Sequence, residues 1–176
     1  MRMTLIGVFV IGTAACGGAK AVMVPGPAGG GQISVPASVL HRVEDRWKGA
    51  TLAAQPTACT GQTDASAVPA LKGDINGDGM DDLVLRMEKD GASRLYAALA
   101  RVGDATHDVL EVSSGDAAKG PISMLRRGGT FRQDGLVVSE FLGSDTLVVT
   151  QCDGTRMAYF WTGTGFIPRL LARAAG

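Results

Sequence analysis

The chain has 176 residues, of which 45% are apolar and 19% are charged, and its 17 basic and 17 acidic residues give a formal net charge of zero. A chain of this length can bury a substantial core within one domain. The balanced charge supplies neither a basic stripe for nucleic acid nor an acidic tail, so neither class of partner is predicted.

The first residues carry the pattern of an export signal. Arg2 precedes an apolar run from Met3 to Ile11, and small residues follow the run up to Cys16. This order is typical of a secretory signal peptide, which we place at residues 1–15. The run has about nine residues, too few to span a bilayer core of about 30 Å. A buried N-terminal strand is the alternative.

The segment GTAAC, which ends at Cys16, resembles the lipobox of bacterial lipoproteins, with Thr13 where a large aliphatic residue is usual. The resemblance implies that Cys16 carries a lipid, which would hold the exported protein on a membrane of the cell envelope. Ordinary secretion is the alternative. For the remaining cysteines, Cys59 and Cys152, we predict a disulfide, as an exported domain permits. Two separate buried thiols are the alternative.

Residues 16–33 are rich in glycine, proline and alanine, which is typical of a flexible tether. The next segment, residues 34–48, has apolar residues at helical spacing and predicts a helix with Val39 and Val43 on its buried side. Ser34 is the expected N-cap of this helix, and Gly49 is the expected stop.

The rest of the chain predicts mostly strands. An α+β fold follows, in which the N-terminal helix packs on a mainly antiparallel sheet, in a single domain over residues 34–176. Residues 113–131 read as loop-rich. The segments predicted as strands are 50–54, 82–90, 93–100, 106–112, 134–142, 145–152, 155–163 and 165–172.

One stretch, GDINGDGMDDLVL from Gly73 to Leu85, concentrates carboxylates beside an apolar run. Calcium binds six to eight oxygens from carboxylates, amides and backbone carbonyls, and a tight loop can supply them from alternate residues. Gly77 and Gly79 permit the positive φ angles that such a loop requires. The predicted Ca²⁺ ligands, with Met80 contributing its carbonyl oxygen, are Asp74, Asn76, Asp78, Met80 and Asp82.

Other readings of this stretch fit less well. An EF-hand needs a glutamate at position twelve of the loop, where this chain has Leu85 and continues as a strand. Zinc lacks nearby His or Cys ligands, and magnesium prefers a smaller octahedral shell with its own waters. The remaining alternative is a surface turn rich in Asp, Asn and Gly that binds no metal.

The same residues resemble the FG-GAP or VCBS-type repeat, whose hallmark looks like GDxNGDGxxDLxV. The resemblance implies a calcium loop between two strands with the five ligands named above, and it implies that Asp81 points away or makes an outer contact. It covers about thirteen residues and occurs once, so it carries no expectation of a propeller.

These observations predict an exported, membrane-anchored and non-enzymatic calcium-binding module in which calcium is mainly structural. The alternative is an envelope protein that binds or inhibits a cell-wall polymer or protein partner, through an exposed patch around Tyr96, Phe141 or Trp161. A hydrolase with a concealed site is a third hypothesis, for which His107 beside a carboxylate is the candidate.

Overall fold

The structure is a computed structural model that describes residues 20–27, 31–53, 68–136 and 139–172. These residues contain one α-helix, α1 (Ala37–Arg46), and one 3-10 turn (Gly115–Ala118). The strands in chain order are β1 (Ala21–Pro25), β2 (Gln32–Pro36), β3 (Thr51–Leu52), β4 (Ala70–Gly73), β5 (Asp82–Lys89), β6 (Ala92–Arg101), β7 (Asp104–Ser114), β8 (Ile122–Leu125), β9 (Thr130–Phe131), β10 (Glu140–Phe141), β11 (Thr146–Thr150), β12 (Arg156–Trp161) and β13 (Phe166–Leu170).

The strands form several antiparallel sheets. In the first sheet the order is β3-β5-β6-β7, and β4 pairs with the first half of β5 on the same edge on which β3 pairs with its second half. In the second sheet the order is β13-β12-β11-β8. Two further antiparallel pairs are β1 with β2 and β9 with β10, and an isolated bridge joins Gln133 to Leu171. Strands that follow each other in the chain are mostly neighbours, which favours antiparallel pairing through short turns.

The predicted α+β class is wrong. The described part of the chain is mostly β, with 52% of its residues in strands and 11% in helices, and its strands are divided among several sheets. The α+β class would require the helix to form a layer of its own against the sheet. Helix α1 has ten residues and buries only Val39 and Val43, so it adds to a core that strands build.

The tether predicted over residues 16–33 also needs correction. Within it, β1 and the start of β2 form a ladder that pairs Val22 with Val35 and Val24 with Ile33. Val24, Ile33 and Val35 are buried, because alternate residues of a strand point to the same face. Of the described glycines and prolines of this segment, Pro25 ends β1, and Gly26, Pro27 and Gly31 lie between β1 and β2.

The helix prediction is confirmed over a shorter range. Ser34 belongs to β2 instead of capping the helix, and Pro36 occupies the N-cap position. The helix ends at Arg46, and Gly49 follows in the turn with a φ of 79°, a conformation in which glycine is favoured.

Strand β5 is buried on both sides and lies between two parts of the core. Leu83, Leu85 and Met87 point into an apolar cluster shared with β1, β2 and α1. Val84 points into a second cluster, shared with β6, β11 and β12. The first and second sheets therefore pack face to face through the second cluster.

Several predicted strands are confirmed, among them β5, β6, β11, β12 and β13. The stretch predicted as loop-rich, residues 113–131, is not a plain loop, because it holds β8 and β9. Of the segment 134–142, only Glu140–Phe141 is a strand among the described residues.

Candidate metal centre

The carboxylate stretch forms the connection between β4 and β5, as predicted. Gly77 and Gly79 have φ angles of 80° and 86°. These left-handed conformations cost an ordinary residue free energy and cost glycine little. The two glycines let the chain turn tightly enough for the polar side chains to reach the loop's own backbone.

Asp74 turns back over the loop. Its Oδ1 accepts a hydrogen bond from the Gly77 N–H at 2.8 Å, and its Oδ2 accepts one from the Gly79 N–H at 3.1 Å. Arg127 places Nη1 3.7 Å from the same Oδ2. The carboxylate therefore orders the loop from its first position.

Asn76 and Asp78 contact each other and continue the same pattern. Asn76 Oδ1 accepts a hydrogen bond from the Asp78 N–H at 3.0 Å, and its Nδ2 donates to Asp78 Oδ2 at 3.0 Å. Asp78 Oδ1 in turn accepts a hydrogen bond from the Met80 N–H at 2.8 Å. Side chains that bond to the backbone two residues on are typical of Asx turns.

Asp82 lies beneath the loop and is fully buried. Its Oδ2 accepts hydrogen bonds from the N–H groups of Ile75 at 2.8 Å and Asn76 at 3.2 Å, and its Oδ1 accepts one from the Ala100 N–H at 2.8 Å. Burial raises the pKa of this carboxyl, the three backbone hydrogen bonds lower it, and the charge of Asp78 raises it again, so that the net shift is upward.

The predicted ligands therefore share one loop, but their side chains do not converge on an empty centre. Among the described residues, no three side chains of the His, Cys, Asp or Glu type lie close enough together to hold a metal ion. The donor types fit a hard cation such as Ca²⁺. The arrangement fits it only in part, because Asp82 uses both of its oxygens on backbone N–H groups.

Asp81 lies outside this network, as the resemblance implied. Its Oδ2 is 2.7 Å from Nζ of Lys72, and both side chains are more than half exposed. It therefore serves as a natural control position within the same loop.

The sequence did not reveal Asp145, which precedes β11 and lies beside the loop. Its carboxylate accepts hydrogen bonds from the Asp74 N–H at 3.1 Å, the Arg127 N–H at 2.8 Å and Arg126 Nη1 at 2.7 Å. Its own N–H donates to the Asp74 carbonyl at 2.8 Å. Asp145 therefore joins the loop to the second sheet. A Cβ atom on Gly73 would lie 2.5 Å from Asp145 Oδ2, so this contact requires glycine at position 73.

Whereas the pKa of Asp82 is raised, the pKa of Asp145 is lowered. Burial would raise it, but the hydrogen bonds from Arg127, Arg126 and Asp74, together with the charge of Arg126, hold it below its ordinary value of 3.8. No sequence pattern marks this residue, because its partners are 18 and more positions away.

Arg86 is the second group that the sequence did not single out. It is fully buried in β5 and donates from Nη2 to the Gly120 carbonyl. Burial lowers its pKa to about 10, although the charge of Glu88 acts in the other direction. Among the described residues, its Nε and Nη1 have no hydrogen-bond partner, and leaving buried donors unpaired costs free energy.

The other predicted site residues are only partly described. Cys16 and Cys59 lie outside the described residues, and Cys152 lies in the turn between β11 and β12. The lipidation and the Cys59–Cys152 disulfide therefore stay predictions. In the part of the chain that the structure covers, no helix has the length and apolar character needed to cross a membrane.

The candidate catalytic histidine, His107, is half-buried in β7. Its Nδ1 is buried and has no hydrogen-bond partner within the described ranges, and burial and the charge of Arg42 both lower the pKa of the imidazole. The neighbouring Asp108 carboxylate is bonded to Arg101 instead. The described residues therefore do not pair His107 with a carboxylate.

Comparison of the chain with protein-family models, with curated proteins and with solved structures gives no match. The resemblance to an FG-GAP or VCBS-type repeat therefore depends on the residues of the loop alone.

Proposed function

We propose that this chain is an exported, membrane-anchored, non-enzymatic module of the bacterial envelope whose loop binds Ca²⁺, with a mainly structural effect. The loop residues Asp74, Asn76, Asp78 and Asp82, together with the Met80 carbonyl, would hold the ion. When bound, the ion would supply positive charge to Asp78 and Asp82, of which Asp78 raises the pKa of Asp82 through its negative charge.

The observation that carries this proposal is the electrostatic state of Asp82. It is a fully buried carboxylate whose pKa is raised, and the charge of Asp78 contributes to the rise. Within the described residues, no Lys or Arg side chain lies within 4 Å of either carboxylate. A divalent cation would remove this repulsion, and the oxygen donors around it are those that calcium prefers.

The proposal predicts that Ca²⁺ raises the melting temperature of the purified protein. A ligand that binds only the folded state at one hundred times its Kd stabilises that state by about 2.7 kcal/mol. For a domain of this size, this corresponds to a rise of roughly 5 to 10 °C, measured by scanning calorimetry in millimolar CaCl₂ against EGTA.

Two variants make this experiment specific. Asp78→Asn keeps an oxygen for the Met80 N–H but removes one charge, and it is expected to lose most of the Ca²⁺ response. Asp81→Asn removes one charge from the same loop at an exposed position and is expected to keep the response. An equal melting temperature in CaCl₂ and EGTA, or an equal loss in both variants, would contradict the proposal.

A partner-binding protein of the envelope is the second candidate, and one side chain favours it. Phe141 is 79% exposed, which is unusual for an aromatic residue, and Ile167 near it is 43% exposed. The other two aromatics of the predicted patch differ, since Tyr96 is buried and Trp161 is half-buried. A binding protein without a metal site would show no Ca²⁺ response in the experiment above.

A further inference from the structure

The second sheet has a face that points away from the first sheet and is covered only in part. Phe160 of β12 packs against an apolar cluster that is separate from the one joining the two sheets. Ile167 of β13 is its cross-strand partner and is 43% exposed on the same face. Phe131 of β9 covers one side of Phe160, with 4.7 Å between the ring centroids. Beside this contact lies a pocket of about 300 Å³, at the lower end of the range usual for small-molecule sites.

Aromatic side chains are concentrated around this pocket. The chain has five Phe, two Trp and two Tyr residues, and three of the Phe and one of the Trp line the pocket. Phe160 is already occupied, by Phe131 and by the guanidinium group of Arg169, which lies 5.2 Å from the ring centroid. Phe141 also lines the pocket and is 79% exposed. Phe141 is therefore the ring against which a ligand can stack.

One ion pair supplies the charge of the pocket. Among the described residues that line it, only Glu140 of β10 and Arg169 of β13 are charged, and Arg169 Nη1 lies 3.3 Å from Glu140 Oε2. The pair gives the pocket no net charge. Both side chains are partly exposed, and a guanidinium group and a carboxylate each form several hydrogen bonds, so donors and acceptors remain for a ligand. Ser144 and Thr146 add residues with hydroxyl groups to the lining.

An exposed aromatic ring beside a neutral pair of donors and acceptors matches the chemistry of an uncharged sugar. A sugar ring presents C–H groups on its faces, which can stack on an aromatic side chain, and hydroxyl groups around its edge, which can bond to a carboxylate and a guanidinium group. A purely apolar ligand would displace water from the ion pair without replacing its hydrogen bonds. An ionised ligand would lose water without gaining an unpaired charge of opposite sign.

We propose that this pocket binds a neutral saccharide, with Phe141 stacking on a ring face and with Glu140 and Arg169 bonding to hydroxyl groups. None of the proposed Ca²⁺ ligands lines the pocket, so the inference does not rest on the proposed calcium site. It gives a ligand class to the second candidate function, that of a partner-binding protein.

An NMR titration of the purified protein with cellotriose in EGTA tests the ligand class. We expect saturable shifts with cellotriose, whose rings are uncharged. Trigalacturonate carries a carboxylate on each ring, and N-acetylphenylalaninamide imitates an apolar side chain of a protein partner. Both are expected to bind at least about tenfold more weakly. No saturable binding of cellotriose, or equal or tighter binding of either comparison compound, would overturn the ligand class.

A matched pair of exposed apolar residues tests the stacking contact. Phe141→Ala is expected to weaken cellotriose binding at least about fivefold, because it removes the open ring. Val102→Ala truncates a side chain that is 75% exposed and does not line the pocket, and it is expected to leave affinity unchanged. Circular dichroism checks that both variants fold. Equal losses in the two variants, or no loss in Phe141→Ala, would overturn the placement.

A matched pair of arginines tests the ion pair. Arg169→Gln is expected to weaken cellotriose binding several-fold, because it removes charge-assisted donors and leaves Glu140 without its partner. Arg132→Gln replaces an exposed arginine that does not line the pocket and is expected to have no effect. Unchanged affinity in Arg169→Gln would overturn the role given to the pair.

The outcome is separable from that of the proposed function. If Ca²⁺ raises the melting temperature but cellotriose does not bind, this inference fails and the proposed function stands. If cellotriose binds in EGTA and Ca²⁺ has no effect on melting, the proposed calcium function fails and the assignment of the pocket is supported.

Discussion

Two buried carboxylates flank the same loop, and they differ in what surrounds them. Asp145 and Asp82 each accept hydrogen bonds from three donors. One donor to Asp145 is the guanidinium group of Arg126, whereas all three donors to Asp82 are backbone N–H groups. The pKa of Asp145 is lowered, and the pKa of Asp82 is raised.

The comparison shows that the number of hydrogen bonds does not by itself decide whether the pKa of a buried carboxyl group is raised or lowered. Burial disfavours the charged form at both residues, and the formal positive charge of Arg126 helps to reverse that effect at Asp145. Asp82 faces the negative charge of Asp78 instead. Among the described residues, the proposed ligands Asp78 and Asp82 have no Lys or Arg side chain within 4 Å, whereas Asp74 has Arg127 at 3.7 Å.

The largest expected effect comes from Asp82→Ala, which removes the acceptor of three backbone N–H groups. A buried donor left without a partner costs about 1 to 3 kcal/mol, so we expect the free energy of unfolding to fall by about 4 kcal/mol. Urea denaturation in EGTA measures this without any contribution from calcium. Asp81→Ala, at an exposed position of the same loop, is expected to change stability by less than about 0.5 kcal/mol. A loss below about 1 kcal/mol for Asp82→Ala would show that its hydrogen bonds are not structural.

Asp145→Asn tests the other carboxylate and adds a dependence on pH. The variant loses charge-assisted hydrogen bonds, so we expect it to be about 2 kcal/mol less stable near neutral pH. Because the folded pKa of Asp145 is below its ordinary value, its stabilising contribution is fully present above pH 3.8 and is lost as the pH falls through the folded pKa.

The difference in unfolding free energy between wild type and Asp145→Asn should therefore shrink as the pH is lowered below about 3.8. Urea titrations at a series of pH values measure it. Asp116→Asn is the control: Lys119 lowers the pKa of Asp116 as well, but this carboxylate is exposed and solvent screens the pair, so the change with pH should be much smaller. A difference that stays constant down to acidic pH would show that the charge of Asp145 does not stabilise the fold.

The smallest expected effect is that of Gly79→Ala. Gly79 has a φ of 86° and a Cβ atom there would meet nothing within 4 Å, so the cost is that of the left-handed backbone alone. We expect a loss of about 1 kcal/mol in EGTA. Gly154→Ala, at a φ of 82° and also in open space, should cost a similar amount. A much larger loss for Gly79→Ala would indicate that the loop distorts as a whole.

The sequence predicted the parts of this molecule that depend on neighbours in the chain. The loop between two strands follows from glycine and aspartate spacing, and β5 and β6 follow from apolar runs bounded by the Asp90-Gly91 turn. It failed for β1 and β2, because Val22 and Val24 alternate within a segment dominated by glycine and alanine. The α+β class was wrong because composition does not reveal how many strands share a core with the single described helix.

For the site, too, the sequence predicted local features but not contacts between distant residues. Asp74, Asn76, Asp78 and Asp82 share the loop as expected, but the burial of Asp82 depends on its contact with Ala100 of the neighbouring strand. Asp145 could not be found, because its contact with Asp74 joins residues 71 positions apart. A groove lined by Arg42 of α1, Asp78 of the loop and Gly163 after β12 likewise forms only in the folded chain.

The position of Asp82 at the first residue of β5 has a consequence for motion. Exposed loops usually exchange their amide hydrogens through small local openings, whereas central strands exchange only when the whole domain unfolds. Here the amides of Ile75 and Ala100 are held by a side chain that belongs to the most enclosed strand of the molecule. These two protons should exchange with solvent about as slowly as those of the central strand, so the surface loop shares the cooperativity of the protein interior.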